Sequence, residues 1–290
     1  MGDGLTSRKG SRGAVRPTCG REGVRTVFER VERDGIAIHT VPDLFARCGV
    51  GIAFSERGGG VSEGAYASLD LAGHVGDDPA LVDMNRTRLL GSIGIDALRS
   101  ALTTAEQVHG DVVSEVTTAE SGSGAFVTGG AGPIPGADAL LTRERGIPLL
   151  LMFADCVPVV LVRSSVPAVA VVHAGWRGAA AGVVESAVAA LDALPGPDDM
   201  EAFVGPHIGG CCYEVGADCV SHFDNSFVTI TAASSRLDLG AVIADALERS
   251  GIPEGRQWHL GICTAHNTDR FYSHRAEGPT GRHGALAVII

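Results

Sequence analysis

The chain has 290 residues, of which 45% are hydrophobic and 20% charged, and its formal net charge is −11 at pH 7. This apolar content can fill a sizeable core. The acidic balance argues against a nucleic-acid surface, because phosphate neutralisation requires clustered Lys and Arg. The longest apolar stretch, residues 147–162, is interrupted by Asp155 and is shorter than the roughly 20 residues that span a bilayer, so no membrane span is expected.

The N-terminal residues differ in composition from the rest of the chain. Residues 1–34 are rich in Gly, Arg and Ser with little apolar periodicity, which predicts a poorly ordered extension followed by a single domain over residues 35–290. The extension has no apolar segment typical of a secretory signal, so the expected location is cytoplasmic. The seven cysteines are an odd set without a C-x-x-C pair, and we expect them to be reduced.

The first clear element is a helix within residues 76–94. Asp77 or Asp78 is the expected N-cap, Pro79 stands at the first helical position, and Gly91 or Gly94 ends the helix. Short runs of strand character follow, several of them apolar on both faces, which indicates sheets buried on both sides. These runs are residues 101–104, 111–116, 138–142, 148–153, 157–162 and 168–173.

Helices and strands alternate in the second half. Residues 174–194 keep the i, i+3, i+4, i+7 apolar spacing of an amphipathic helix. Strands are expected at residues 201–205, 257–263 and 284–290, with a helix around residues 237–250. No fixed-period repeat is found. Several strands can pair through hairpins, so the predicted class is α+β with mixed β-sheets rather than a doubly wound parallel sheet.

Three polar residues stand at ends of apolar strands or beside glycine turns. They are His109 in "EQVHGD", Cys156 in "ADCVP" and His173 in "VVHAGWRG". A single histidine or cysteine in such a place is more often a packed or hydrogen-bonded residue. Together the three would form a Cys-His-His set that suits zinc and leaves one coordination position for water or substrate. Spacing alone leaves their convergence open.

From about Gly49 to the C-terminus the chain resembles the YfiH family, also called polyphenol oxidase laccase-like, peptidoglycan editing factor or purine nucleoside phosphorylase family. The resemblance is carried by "QVHG", "ADALLT", "ADCVPVVL", "AVVHAGWRG", "VGPHIGGCCYEVG" and "CTAHNTDRFYSHR". It implies a layered α/β/β/α fold and one zinc ion per chain held by His109, Cys156 and His173, which would also be the catalytic residues. It also implies two reactions, the phosphorolysis of purine nucleosides and the deamination of adenosine.

A reaction with nucleoside and phosphate requires groups that bind the anion. Arginines are the candidates, because guanidinium binds phosphate through paired donors, although an arginine is as often solvated or ion-paired. Asp138 and Asp155 are candidates to orient a ligand histidine, with capping or turn formation as the alternative. The full set of candidate substrate-binding residues is Asp70, Arg86, Gln107, Arg177, Arg275 and Arg282.

Several positions depart from the family's usual pattern. Asp70 stands where Asn is common, His207 where a small residue is more usual, and His274 where Tyr is frequent. These changes are expected to alter substrate preference rather than the metal ligands. Cys211 and Cys212 are interpreted as packing in the wall of the site, and Cys263 as structural.

Three other functions use the same residues. An amidase or cysteine hydrolase acting on peptidoglycan precursors would use Cys156 as nucleophile and His173 or His109 as base. A copper phenol oxidase is disfavoured, because none of the ten histidines is two residues from another. A non-enzymatic zinc or thiol sensor would need a fourth ligand, for which Cys263 or His207 is available. The sequence leaves open the physiological substrate, the base preference and the oligomeric state.

Overall fold

The computed structural model describes residues 27–290. Residues 1–26 of the predicted extension lie outside this range. Within the extension, Glu29–Arg33 form a strand that pairs with Ile36–Thr40. The folded chain therefore begins before residue 35.

Fourteen strands and seven α-helices are found within the described residues. The strands are β1 (Glu29–Arg33), β2 (Ile36–Thr40), β3 (Val50–Ser55), β4 (Val113–Glu115), β5 (Ala139–Thr142), β6 (Leu149–Phe153), β7 (Val157–Arg163), β8 (Ala168–Ala174), β9 (Met200–Val204), β10 (Glu214–Val215), β11 (Val228–Ile230), β12 (Ser235–Leu237), β13 (Gln257–His259) and β14 (His283–Ile289). The helices are α1 (Pro42–Cys48), α2 (Pro79–Ser92), α3 (Trp176–Ala181), α4 (Val183–Asp192), α5 (Ala217–Val220), α6 (Leu239–Arg249) and α7 (His274–Glu277).

The strands form two large sheets and one small one. The first sheet has the antiparallel order β1-β2-β3-β14-β6. The second has the order β13-β9-β7-β8-β5-β4, with parallel pairs at its two edges and antiparallel pairs between them. A three-stranded sheet, β10-β12-β11, is antiparallel. The predicted mixed sheets are confirmed.

The two large sheets pack face to face, and helices cover their outer faces. Phe54 and Phe153 of the first sheet meet Val160 and Phe203 of the second in one buried cluster. Helices α4 and α6 bury their apolar sides on the far face of the second sheet, and α2 does so on the far face of the first. The layers are therefore α/β/β/α, as the resemblance implied.

The helix predicted in residues 76–94 is confirmed as α2. The Asp78 side chain caps it by accepting a hydrogen bond from the Ala80 amide, and Pro79 begins it. The single helix predicted over residues 174–194 is wrong. Gly182 adopts a φ of 92° and divides it into α3 and α4, because a left-handed residue cannot continue a right-handed helix.

The strand predicted at residues 101–104 is also wrong. Residues Asp96–Ala101 form a 3-10 helix, and Thr103 contributes only an isolated bridge to Leu149. The other predicted strands are present, with bounds that differ at one or both ends. Within the described residues, no helix combines the length and the apolar character that a membrane crossing requires.

A candidate metal site with an adjoining cavity

Antiparallel pairing places two of the three candidate ligands at one edge of the second sheet. Cys156 directly precedes β7, and His173 is the penultimate residue of β8. Because the two strands are antiparallel, with Pro158 opposite His173, the start of one strand lies beside the end of the other. Residues 17 positions apart in sequence thus become neighbours by sheet register.

A carboxylate positions the third candidate, His109. The loop that carries it has positive φ at Gln107 and His109, of 58° and 62°. This conformation turns the amides of Val108, His109 and Gly110 toward Asp138, whose oxygens accept all three at 2.7 to 3.1 Å. The uncommon backbone conformation is therefore supported by charge-assisted hydrogen bonds.

The same carboxylate orients His173. The Nδ1 atom of His173 lies 2.8 Å from Asp138 Oδ1, and the His173 amide donates to the Asp138 carbonyl at 2.7 Å. A carboxylate on Nδ1 leaves Nε2 as the atom with a lone pair for a metal, which is the usual arrangement around protein-bound zinc. The structure thus places Asp138 where the sequence interpretation proposed a group orienting a ligand histidine.

The three side chains converge. One ligand atom from each of His109, Cys156 and His173 lies within 4.8 Å of the others. Cys156 Sγ is 3.8 Å from His109 Nε2, close to the roughly 3.6 Å expected for sulfur and nitrogen on one tetrahedral zinc. The His109 and His173 rings meet edge to face, with centroids 4.8 Å apart. The donor set therefore fits a zinc ion and supplies three of four ligands.

Glycine allows helix α3 to begin against these ligands. A Cβ on Gly175 would lie 2.6 Å from His109 Cδ2 and 3.1 Å from Cys156 Sγ. A Cβ on Gly178 would lie 2.7 Å from the Gly110 carbonyl oxygen. This close approach requires glycine at both positions of the "HAGWRG" segment. The spacing and composition of the sequence do not reveal this packing requirement.

The charges at the site favour a thiolate. Burial opposes ionisation of Cys156, but the His173 imidazolium and the hydrogen bond with His109 outweigh it and lower the thiol pKa to about 6. Burial likewise opposes protonation of His173, and the Cys156 thiolate and Asp138 raise its pKa to about 9. The thiolate is the form that binds metal or acts as a nucleophile.

The three candidate ligands line a cavity of about 370 Å³, within the usual range of about 300–1,000 Å³ for small-molecule sites. Its wall combines cationic, aromatic and imidazole side chains. The lining residues are His74, Gln107, His109, Met152, Ala154, Asp155, Cys156, His173, Trp176, Arg177, Tyr213, His274, Arg275 and Arg282.

Three predicted arginines reach this cavity. The Arg177 guanidinium lies over the Trp176 ring at 4.3 Å, and that of Arg275 lies 5.1 Å from the Tyr213 ring centre. Arg282 Nη1 donates to the Thr280 and Gly281 carbonyls, at 2.6 and 2.9 Å. Gln107 also lines the cavity, but its amide group is bonded both ways to the backbone of Met152.

Two predicted substrate-binding residues do not line this cavity. Arg86 is buried and donates to the carbonyls of Leu71, Gly124 and Ala125, which makes it a support for loops rather than a ligand for phosphate here. Asp70 is also buried, and its Oδ1 accepts from the amides of Ala72 and Arg282. Both charged side chains are buried because they form hydrogen bonds with backbone groups of the surrounding loops.

Asp155 differs from Asp138 in its partners. Its Oδ1 accepts from the hydroxyls of Thr264 and Ser273 at 2.6 and 2.7 Å, and its Oδ2 from the Arg275 amide at 2.7 Å. It thus ties two loops to the cavity instead of bonding a ligand histidine. Its φ of 91° is a further constraint on the turn that presents Cys156.

Sequence reasoning missed several wall residues. His74, Trp176 and Tyr213 were not proposed as site residues, although Trp176 and Tyr213 each lie in a quoted motif. The available signal was a polar or aromatic side chain within three residues of a glycine. His207 and Cys263 are not members of the group formed by His109, Cys156 and His173, so neither supplies a fourth ligand at this site.

The fold and the site together define an α+β protein with a Cys-His-His ligand set in the wall of a cavity. Residues 51–290 match the family described as multi-copper polyphenol oxidoreductase laccase, and the chain belongs to this family. The crystal structure of YfiH from Bacillus licheniformis is 29% identical, with a TM-score of 0.82, covering 91% of this chain and 99% of YfiH.

Two relatives carry names that state an activity. "Purine nucleoside phosphorylase YlmD" of Geobacillus stearothermophilus is 34% identical over 268 residues, which cover 83% of this chain and 96% of YlmD. Its crystal structure superimposes with a TM-score of 0.82. A "Purine nucleoside phosphorylase" of Xylella fastidiosa is 35% identical over 242 residues, 80% of this chain and 89% of the relative.

Proposed function

We propose that the protein is a zinc-dependent purine nucleoside phosphorylase. The observation that carries this proposal is the convergence of His109, Cys156 and His173 on the wall of a cavity that three arginines also line. The names of the relatives from Geobacillus and Xylella support the same reaction. In that reaction a phosphate oxygen bonds to C1′ of the ribose, the bond from C1′ to the purine nitrogen breaks, and the purine leaves with the electron pair.

The ligand set is prepared for a divalent cation. Asp138 holds His173 through Nδ1, and the charge of His173 and the hydrogen bond with His109 favour the thiolate of Cys156 against the effect of burial. A bound zinc ion would supply a Lewis acid that polarises a substrate oxygen. The chain supplies the ligand geometry, and three protein donors leave one position for substrate or water.

Arg177, Arg275 and Arg282 are proposed to bind phosphate. Each guanidinium offers paired donors suited to a phosphate oxygen pair. Arg275 is anchored because its Nη1 donates to the Glu214 carbonyl and its amide to Asp155. An anchored arginine loses little side-chain entropy on binding the anion.

The aromatic side chains of Trp176 and Tyr213 are proposed to bind the purine. Both line the cavity, and a base stacked on an aromatic ring gains about 1–3 kcal/mol. His74 completes this wall. Burial, together with the charges of Arg282, Arg86 and His173, lowers the pKa of His74, which favours its neutral form.

Phosphorolysis is favoured over adenosine deamination because the one carboxylate that lines the cavity in the described residues is already hydrogen-bonded. Zinc deaminases use a carboxylate that is not a ligand to move the proton of the attacking water. Within the described residues, Asp155 is the one carboxylate that lines the cavity, and its oxygens are bonded to Thr264, Ser273 and Arg275. Deamination remains the second reaction to be assayed.

Zinc is favoured over copper by the number of histidines. The two groups of candidate ligands in residues 27–290 contain three histidines in total, His109, His173 and His266. A multicopper oxidase centre draws mainly on imidazole ligands. A thiolate and two imidazoles are donors that zinc accepts, and three protein ligands with one open position are usual in catalytic zinc sites.

A cysteine hydrolase is the second candidate function, and one specific observation favours it. Cys156, His173 and Asp138 are connected in the order nucleophile, base and orienting carboxylate, and the thiol pKa is lowered to about 6. This arrangement is the same as that of thiol hydrolases. Metal dependence separates the two functions, because zinc on the thiolate would block the nucleophile.

The test is turnover of adenosine by metal-depleted protein reloaded with zinc or with copper, each with and without inorganic phosphate. Chromatography separates adenine from inosine. We expect adenine only with zinc and phosphate, and near-complete loss in Cys156→Ala. Inosine without phosphate would show deamination. Turnover of an amide substrate by the metal-depleted protein would instead establish the hydrolase.

A matched pair of variants tests the phosphate site. Arg177→Gln is expected to raise the KM for phosphate by about 10-fold or more, since a hydrogen bond to a charged group contributes about 1.5–3 kcal/mol. Arg249→Gln is the control, because Arg249 pairs with Asp245 on the exposed side of α6. Equal KM values for the two variants would exclude Arg177 from phosphate binding.

A further inference from the structure

Within residues 27–290, a second group of potential metal ligands lies outside the site already described. One ligand atom from each of Cys211, Cys212, Cys263 and His266 lies within 4.8 Å of the others. We propose that these four residues form a second zinc site, structural rather than catalytic, that joins two loops at the wall of the cavity. The sequence interpretation had assigned Cys211 and Cys212 to packing in the wall of the site and Cys263 to a structural role.

Two segments about 50 residues apart are held in register by their backbones. His207 and Cys263 form a parallel bridge, and the Thr264 amide donates to the His207 carbonyl at 3.0 Å. The first segment then turns sharply, with the amides of Cys212 and Tyr213 both donating to the Gly209 carbonyl. The turn brings the adjacent cysteines toward the second segment. The backbone hydrogen bonds of the two segments therefore bring the three cysteines and His266 close together.

The distances fit a tetrahedral metal better than a disulfide. The sulfurs of Cys211 and Cys263 are 4.0 Å apart, about twice the length of an S–S bond. Two thiolates on one zinc ion are about 3.8 Å apart, because Zn–S bonds are about 2.3 Å long. His266 Nδ1 is 3.8 Å from Cys211 Sγ, and its Nε2 is 3.0 Å from Cys212 Sγ. One nitrogen of this imidazole lies within 4.8 Å of all three sulfurs.

The chemistry of the group also fits zinc. Three thiols and one imidazole are a usual structural zinc set, and the Cys263-x-x-His266 spacing is within the range found for such ligands. The Gly209 amide donates to Cys263 Sγ at 3.2 Å. Four protein ligands fill the tetrahedron, which leaves no position for substrate and makes the site structural.

The two loops that this zinc would join also shape the cavity. Tyr213, next to Cys212, lines the cavity. Thr264, next to Cys263, donates its hydroxyl to Asp155, which precedes Cys156. The second zinc would therefore stabilise one wall of the first site without touching substrate. It does not depend on the proposed reaction.

The test uses the full chain in a reducing buffer, with zinc alone as the probe. Elemental analysis should find about two zinc ions per chain in the wild type, about one in Cys156→Ala, about one in His266→Ala, and none in the double variant. His266 is exposed, so its replacement leaves the core intact. Cys48→Ser is the matched control, because Cys48 lies in α1 outside both groups, and it should retain both ions.

Thermal unfolding supplies a second measurement. Zinc added to metal-free Cys156→Ala should raise its Tm, because a ligand that binds only the folded state stabilises it. The same addition to Cys156→Ala/His266→Ala should leave the Tm unchanged. One zinc ion in the wild type and none in Cys156→Ala would overturn the proposal, as would equal zinc content in His266→Ala and the wild type.

Discussion

A methyl group added at Gly175 is expected to displace a metal ligand. In Gly175→Ala the new Cβ would lie 2.6 Å from His109 Cδ2, whereas ordinary contacts begin at 3.4 Å, so the ring or the helix must move by about 0.8 Å. Zinc ligands tolerate deviations of about 0.2 Å. We therefore expect zinc affinity at this site to fall about 10- to 100-fold, or about 1.4–2.7 kcal/mol.

The assay is competition for zinc between the protein and a chromogenic chelator. It is carried out in a His266→Ala background, which removes the proposed second zinc site, so that only the site of His109, Cys156 and His173 binds zinc. Gly216→Ala is the matched control. Gly216 is the N-cap of α5, with φ −82° and ψ 170°, as Gly175 is the N-cap of α3, with φ −75° and ψ 168°. Nothing lies within 4 Å of a Cβ at Gly216. Equal zinc affinity in the two variants would refute the steric argument.

Three further predictions concern buried carboxylates. Asp138→Asn should weaken zinc binding about 10- to 100-fold and lower the free energy of unfolding by about 3 kcal/mol, because it removes the charge that holds His173 and three amides. Burial raises the pKa of Asp70 to about 7. Asp70→Asn should therefore stabilise the protein by about 1–3 kcal/mol at pH 8, measured by chemical denaturation, with no gain below about pH 4. Burial raises the pKa of Glu56, but hydrogen bonds with His39, Arg30 and Arg270 outweigh it and hold that pKa well below its usual range. Glu56→Gln should therefore destabilise the protein by about 2 kcal/mol at pH 7, and this loss should shrink as the pH falls below about 4.5.

Each of these predictions has a contradicting result. Zinc affinity unchanged in Asp138→Asn would show that the carboxylate does not orient His173. A gain in Asp70→Asn that is the same at pH 4 and pH 8 would show that the carboxyl is not destabilised by ionisation. A loss in Glu56→Gln that is as large at pH 3 as at pH 7 would show that the effect comes from packing instead of charge.

The sequence was sufficient for the elements with strong local signals. Asp78 and Pro79 marked the start of α2, and the apolar runs of β6, β7 and β8 indicated strands buried on both faces. Local signals failed at two places in the chain. Gly182 divided an otherwise continuous helical pattern, and Thr103 joined the sheet through a single bridge.

The chain composition and motifs by themselves determined the fold class, the family and the identity of three candidate ligands. Only the tertiary structure decided which polar residues meet. Sheet register joins Cys156 to His173, and Asp138 brings His109 to them through three backbone amides. Arg86 and Arg177 are the same residue type, yet one supports buried carbonyls and the other lines the cavity. Contacts between distant segments depend on packing and register, which a local pattern of residues does not contain.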